Sequence, residues 1–112
     1  MKAIPIKFEN NKQVQCKPEE ATFLKFHIPS VARVQTLPVI INGSRQGTNC
    51  WTWNGDTEKP TLRPSVLVTG YCGDIDADFR CHSWINDGSV QFLSDCSHEL
   101  ANKTVELLDI SL

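Results

Sequence analysis

No segment of this 112-residue chain shows the 3.6-residue apolar period of an amphipathic helix over a helical length. Short runs in which apolar and polar residues alternate are instead interrupted by turn-forming residues, such as Asn54-Gly55-Asp56 and Asn86-Asp87-Gly88. Short strands separated by frequent turns are typical of β-dominated domains. We therefore predict a mostly β fold, built from antiparallel hairpins with at most one short helical turn.

The chain length allows one domain with one core. Residues 1–20 are largely polar, and we predict them to be a lead-in that contains one short strand. Residues 21–112 are then a single β-rich, metal-binding domain. A net charge of −2 leaves no basic stripe for nucleic acid, so we expect no nucleic-acid partner.

Compartment and cysteine chemistry are linked in this sequence. No apolar run approaches the roughly 20 residues of a membrane helix, and no signal peptide is visible, so the cytoplasm is the expected compartment. Cysteines in a reducing compartment are expected to be thiols or metal ligands and not disulfides. The chain has five of them: Cys16, Cys50, Cys72, Cys81 and Cys96.

The strand predictions follow from alternation and from proline and glycine positions. Pro29 and Pro38 should mark strand ends or sheet edges, because proline cannot donate a hydrogen bond to a sheet. Residues 39–41 and 50–53 read as strands, with a tight hairpin turn at residues 42–44. Further strands are predicted at residues 21–26, 30–37, 66–68, 79–85, 89–95 and 104–108, with a loop at 70–78 and one helical turn at 97–101 ended by Asn102.

The chemically richest stretch carries Cys81, His82, Cys96 and His98. Thiolate and imidazole are the ligands that zinc prefers, and four such groups would complete a tetrahedron. The spacing predicts a zinc site made from these four residues. The alternative is that both cysteines are buried as small apolar side chains and the histidines form hydrogen bonds.

Hairpin register decides which ligands share a face. With a two-residue turn at Asp87-Gly88, Cys81 lies on the face of Cys96 and His98, whereas a three-residue loop puts His82 there. We favour the three-residue loop, because it places Trp84, Val90 and Phe92 together on one face. The predicted core ligands are then His82, Cys96 and His98, and Cys81 joins them if the strand twists or bulges.

Two acids flank these ligands. Asp95 and Glu99 could each orient an imidazole or act as general base on a metal-bound water, or could simply be solvated. Asp95 directly precedes Cys96, so it should point away from the ligand face and bond to backbone amides in the turn. Glu99 is therefore the expected base if the protein is a hydrolase.

Four segments resemble a family of small phage and prophage proteins of unknown function, sometimes misnamed "ammonia monooxygenase". They are Trp51-Thr52-Trp53-Asn54-Gly55-Asp56, Pro60-Thr61-Leu62-Arg63-Pro64-Ser65, Cys81-His82-Ser83-Trp84-Ile85-Asn86-Asp87-Gly88 and Asp95-Cys96-Ser97-His98-Glu99-Leu100-Ala101. The resemblance covers roughly residues 21–110 and implies a phage origin and zinc at the Cys-His and Asp-Cys-x-His pieces, but no reaction. Other members carry a Cys-Pro-x-Cys-Gly-like piece where this chain has His27 within residues 26–30.

Two further segments offer both a functional and a structural interpretation. Residues 60–65 could form a rigid binding loop that presents Arg63 and Ser65 to the site, or only a strand lead-in stiffened by two prolines. Trp51, Trp53 and Trp84 are expected in the core or in an interface, and alternatively as an aromatic substrate wall.

Three functions are consistent with these patterns. The first is a zinc-binding accessory or host-interaction protein with a structural metal, whose partner is a host or phage protein in the host cytoplasm. The second is a zinc-dependent hydrolase of amide or peptide bonds with Glu99 or Asp95 as base. The third is a metal-free inhibitor of a host enzyme.

Overall fold

A computed structural model of the chain describes residues 1–41, 50–72 and 77–111. The described residues form strands and one 3-10 turn at Pro18–Glu20. The strands are β1 Ala3–Glu9, β2 Lys12–Gln15, β3 Phe23–Phe26, β4 Gln35–Ile41, β5 Trp51–Trp53, β6 Leu62–Arg63, β7 Val66–Cys72, β8 Ala77–Asn86, β9 Ser89–Phe92 and β10 Thr104–Glu106. The predicted mostly β fold is confirmed. No helix in the described part of the chain has the length and apolar character needed to cross a membrane.

The strands form two sheets. One has six strands in the order β2-β1-β3-β4-β5-β6, and the other has four in the order β10-β9-β8-β7. The segment predicted as a lead-in contributes β1 and β2 to the first sheet, and Ile4 and Ile6 of β1 are buried. The first four residues of β1 are all buried, so both faces of this end of the strand are covered, although the segment around it is polar.

The centre of the first sheet differs from the prediction. β4 and β5 pair in parallel, with Val39 opposite Trp51, so they are not the arms of a tight hairpin. Parallel strands cannot be joined by a two-residue turn. The turn predicted at residues 42–44 lies outside the described residues. Pro38 lies within β4 and does not end it; it pairs with Phe23 of β3 just before pairing with β5 begins, so its missing N–H costs no bond to β5.

The two sheets bury one common hydrophobic cluster. Val39, Trp53 and Leu62 contribute from the first sheet, and Ile85 and Phe92 from the second. All five side chains are almost fully buried. The β8–β9 hairpin is therefore anchored by its inner face, while its outer face is free to carry polar groups.

The register of the β8–β9 hairpin corrects our preferred interpretation. Asn86 pairs with Ser89, and Asp87 and Gly88 form a two-residue turn with φ of 50° and 78°. Cys81, Ser83 and Ile85 face the core, so His82 and Trp84 face outward. The three-residue loop was wrong because we assigned Trp84 to the core. Trp84 is only half-buried, and the Arg63 guanidinium covers its ring at 5.2 Å.

The predicted ends of other elements also shift. Residues 97–101 form successive turns and not a helical turn, and β7 and β8 extend into the predicted loop at 70–78, whose centre at 73–76 lies outside the described residues. Asn102 does adopt the left-handed conformation we predicted, with φ of 67°. These turns return the chain from β9 to β10 and place Asp95, Cys96 and His98 beside β8.

Candidate active site and metal centre

Ser65, His82 and Asp95 form a continuous hydrogen-bonded chain on the outer face of the second sheet. The Ser65 Oγ lies 2.8 Å from His82 Nε2, and His82 Nδ1 lies 3.2 Å from Asp95 Oδ2. Antiparallel pairing of β7 with β8 sets Leu67 opposite His82. This pairing brings Ser65, the residue before β7, within reach of the imidazole. The Trp51 indole N–H donates to the Ser65 carbonyl at 3.3 Å and helps to fix the residue from the first sheet.

Asp95 is held by a second partner. Arg80 Nε donates to the same oxygen, Oδ2, at 2.9 Å. The hydrogen bond from Arg80 is the main reason that the pKa of Asp95 lies below its usual value, and the hydrogen bond from His82 acts in the same direction. The carboxylate is therefore ionised at neutral pH. Exposure to solvent of 40% of its side-chain surface also favours the charged form.

These groups have the arrangement that activates a serine nucleophile. An imidazole nitrogen at hydrogen-bond distance from a hydroxyl can remove its proton, and a carboxylate on the other ring nitrogen fixes the tautomer and stabilises the imidazolium that forms. The geometry of Ser65, His82 and Asp95 meets both conditions. This is the site chemistry of serine hydrolases.

A second cluster lies on the opposite, inner side of β8. Ligand atoms of Cys81, Cys96 and His98 all lie within 4.8 Å of one another. The His98 ring stacks on Phe79 at 5.9 Å and meets Phe92 edge-on at 4.8 Å, so the cluster is walled by aromatic side chains. Two thiols and an imidazole are a donor set suited to zinc.

The state of the three ligands tests whether a metal fits. His98 Nε2 is buried and has no hydrogen-bond partner among the described residues, which is the condition of a nitrogen that a metal could use. Burial lowers the pKa of His98 and thus favours the neutral ring that a metal needs. Burial, together with Cys96, raises the pKa of the Cys81 thiol to about 12, and a bound cation would reverse this by favouring the thiolate. The residues therefore fit a metal ion.

One contact would change on metal binding through Nε2. The Leu100 backbone N–H donates to His98 Nδ1 at 3.2 Å, which requires a lone pair on that nitrogen. Coordination through Nε2 requires the ring proton on Nδ1 instead, so this contact would be given up. The distance is long for an N–H···N bond, and its loss is small beside the gain of a metal–nitrogen bond.

The structure brings together three of the four predicted ligands. His82 faces the other side of β8 and contacts Ser65 and Asp95, as the two-residue turn requires. Asp95 does point away from the face of Cys96 and His98, but it bonds to side chains of Arg80 and His82. Glu99 is exposed.

Other residues singled out in the sequence lie apart from both clusters. The His27 ring bonds to the Val31 carbonyl at 2.8 Å. Trp53 is buried and donates to the Asp56 carbonyl at 3.1 Å. The side chain of Cys72 is outside the described part of the chain. The place of Ser65 in this hydrogen-bonded chain was not predicted, because no local motif marks it: the signal in the sequence was its position at the end of the segment 60–65.

The comparisons with known proteins agree with the geometry of Ser65 and His82. A family profile described as "Bacterial ubiquitination-like system serine protease (BubE)" matches residues 31–93, more than half of the chain. The chain belongs to this family. The matched residues include Ser65, Cys81 and His82, and Asp95 follows just beyond them. No curated protein and no solved structure matches the chain, and the comparisons give no support for the phage and prophage resemblance.

Proposed function

We propose that this protein is a serine peptidase in which Ser65 is the nucleophile, His82 the general base and acid, and Asp95 the residue that orients His82. The observation that carries the proposal is the unbroken series of contacts from Ser65 Oγ through both nitrogens of His82 to Asp95. The family description names a serine protease, which supports the same assignment. Because that description places the protease in a ubiquitination-like system, we infer that the substrate is a polypeptide.

The reaction follows from the positions of these atoms. Ser65 Oγ attacks the carbonyl carbon of the scissile bond while His82 Nε2 takes its proton. His82 then gives this proton to the leaving amine, the C–N bond breaks, and an ester of Ser65 remains. A water molecule, deprotonated by His82, hydrolyses the ester and restores the serine. Asp95 stays ionised and stabilises the imidazolium in both steps.

The zinc site belongs to the proposal as a structural element. Cys81, Cys96 and His98 would hold the ion on the inner side of β8, and zinc would supply folding free energy there. His82 and Asp95 meet on the outer side. A zinc-dependent hydrolase is therefore less well supported than a serine mechanism, because Asp95 would have to reach a metal across the sheet and the side chain of Glu99 is exposed.

The test is covalent labelling with an alkyl fluorophosphonate, which phosphonylates an activated serine and releases fluoride. We expect one adduct per chain, mapped by peptide mass spectrometry to Ser65. The adduct should be lost in Ser65→Ala and in His82→Ala but kept in Ser111→Ala, a control at an exposed serine. Labelling that is absent, or that falls on other serines, would contradict the peptidase and favour the accessory or host-interaction role, or the metal-free inhibitor.

A further inference from the structure

Ser65 directly precedes β7, whose outer edge is open. β7 is an edge strand of the four-stranded sheet among the described residues and pairs only with β8. Leu67 is 47% exposed, and Thr69 and Gly70 are exposed as well. An open strand edge offers unpaired backbone donors and acceptors to another extended chain.

The direction of the backbone groups along this edge can be derived from β8. The His82 carbonyl accepts a bond from the Leu93 N–H at 2.9 Å, so the polar backbone groups of His82 point to the β9 side. Successive residues of a strand point to opposite sides, so those of Cys81 point to β7 and bond to Val68. The N–H and C=O of Leu67 and Thr69 consequently point away from the sheet.

A groove lies beside this edge. It has a volume of about 530 Å³ and is lined by residues 30–33, Gln35, residues 68–70 and Phe79. Its floor is apolar where Val31, Val68 and Phe79 contribute. Gly70 opens it further, because a Cβ added there would meet no atom within 4 Å.

We propose that the groove binds the acyl side of an extended polypeptide substrate, which adds to β7 as an antiparallel strand and leads to Ser65. The inference rests on the proposed peptidase function. Antiparallel pairing is the more stable arrangement, and it makes the chain run toward Ser65 with its N-terminal part in the groove. Thr69 lies about 13 Å from Ser65 at roughly 3.3 Å per residue, so it faces the substrate about four residues before the cleaved bond. Thr69 lies on the outer face of the sheet, and Val68 and Phe79 lie on the inner face, so the apolar floor selects an apolar side chain at the neighbouring substrate position, opposite Val68.

The test compares two probes with the same reactive end, acetyl-Ala-Leu-Ala-Ala diphenyl phosphonate and acetyl-Ala diphenyl phosphonate, by their rates of Ser65 labelling. We expect the longer probe to react about tenfold faster, since two backbone hydrogen bonds and one apolar contact are added. Thr69→Pro removes the outward N–H at an edge position that tolerates proline, and it should abolish this advantage. Thr69→Ala keeps the N–H and should retain it.

A second variant blocks the groove without touching Ser65. Gly70→Leu should fill the open space and also remove the advantage of the longer probe, with the rate of each peptide probe divided by the labelling rate of a small alkyl fluorophosphonate in the same variant. Equal rates for the two probes in the wild type, or an advantage that survives in Thr69→Pro, would overturn the groove assignment. Loss of fluorophosphonate labelling in the wild type would instead overturn the peptidase function itself.

Discussion

The thiol of Cys96 lies against the backbone of His82 and contacts both of its polar groups. The His82 N–H donates to Cys96 Sγ at 3.3 Å, and the thiol donates to the His82 carbonyl at 3.2 Å. Cys96 belongs to the candidate metal centre, and the side chain of His82 belongs to the candidate active site on the other face of β8. The two sites are therefore joined through the backbone of one residue.

This contact predicts that the metal supports both the fold and the activity. Purified protein should carry about one zinc per chain, and removal of the zinc should lower the melting temperature and slow the labelling of Ser65. Cys96→Ser should reproduce both losses and reduce the zinc content. Elemental analysis and thermal unfolding measure these effects. Cys16→Ser, in the first-sheet half of the chain, is the control and should change none of them.

Zinc-free protein with an unaltered melting temperature and full Ser65 reactivity would show that the cluster is only a packing arrangement of thiols. A zinc content that stays at the wild-type level in Cys96→Ser would exclude the ligand set. Either outcome leaves the serine mechanism to be judged by its own labelling experiment.

Asp95→Asn should slow the reaction without unfolding the protein. The variant removes the charge that stabilises protonated His82, so kcat on a cleaved peptide should fall on the order of 100-fold, with little change in KM. Asp95 is exposed, so the free energy of unfolding in urea should stay nearly the same. Asp78→Asn, at another exposed acid within β8, serves as the control. Wild-type kcat in Asp95→Asn would remove Asp95 from the mechanism.

Gly88→Ala should destabilise the hairpin that carries both sites. Gly88 has a φ of +78°, and a Cβ there would lie 3.1 Å from the Glu58 carbonyl oxygen. Left-handed strain and this close contact should lower the free energy of unfolding on the order of 1–3 kcal/mol. Gly70→Ala has open space around its Cβ and should stay close to the wild type in urea unfolding. Equal stability of the two variants would contradict the turn geometry.

The hydrogen bonds of Asp56, which lies outside the candidate active site, predict that the stability of the protein depends on pH. The backbone N–H groups of Lys59 and Glu58 donate to its carboxylate, in that order of effect, and lower its pKa in the folded state. A depressed folded pKa contributes stability that is present above the unfolded pKa of about 3.9 and is lost as the pH falls through the folded value. The advantage of wild type over Asp56→Asn in urea unfolding should therefore shrink below about pH 4. A difference that is constant from pH 7 to pH 3 would contradict the assignment.

Local patterns in the sequence were sufficient for the β-rich fold class and for part of the candidate metal cluster. Alternation predicted the β-rich fold, and the richness of residues 81–98 in thiols and imidazoles predicted that Cys96 and His98 are neighbours. The third member of the cluster is Cys81, whereas we preferred His82. The register of the β8–β9 hairpin was harder to predict. Apolar bulk suggested that Trp84 is a core residue, whereas the core side of β8 carries the smaller Cys81 and Ser83.

The hydrogen-bonded arrangement of Ser65, His82 and Asp95 could not be found from local spacing. Ser65 meets His82 only because β7 pairs with β8 in one particular register, with Leu67 opposite His82. Asp95 reaches the imidazole only because the turn after β9 brings it back to β8. Long-range pairing depends on how the whole sheet assembles, and no single segment of the sequence specifies it.

The alternation of Cys81 and His82 along β8 has a consequence for sequence divergence in this family. The two neighbours belong to different clusters on opposite faces, so a single-residue insertion or deletion within this strand would exchange them, and both clusters would be lost together. Relatives that keep the activity should therefore vary in length only outside residues 82–86. The residues that correspond to Cys81 and His82 then stay on opposite faces of β8. A count of residues between the serine, the histidine and the hairpin turn then becomes a simple criterion for separating active members from inactive ones.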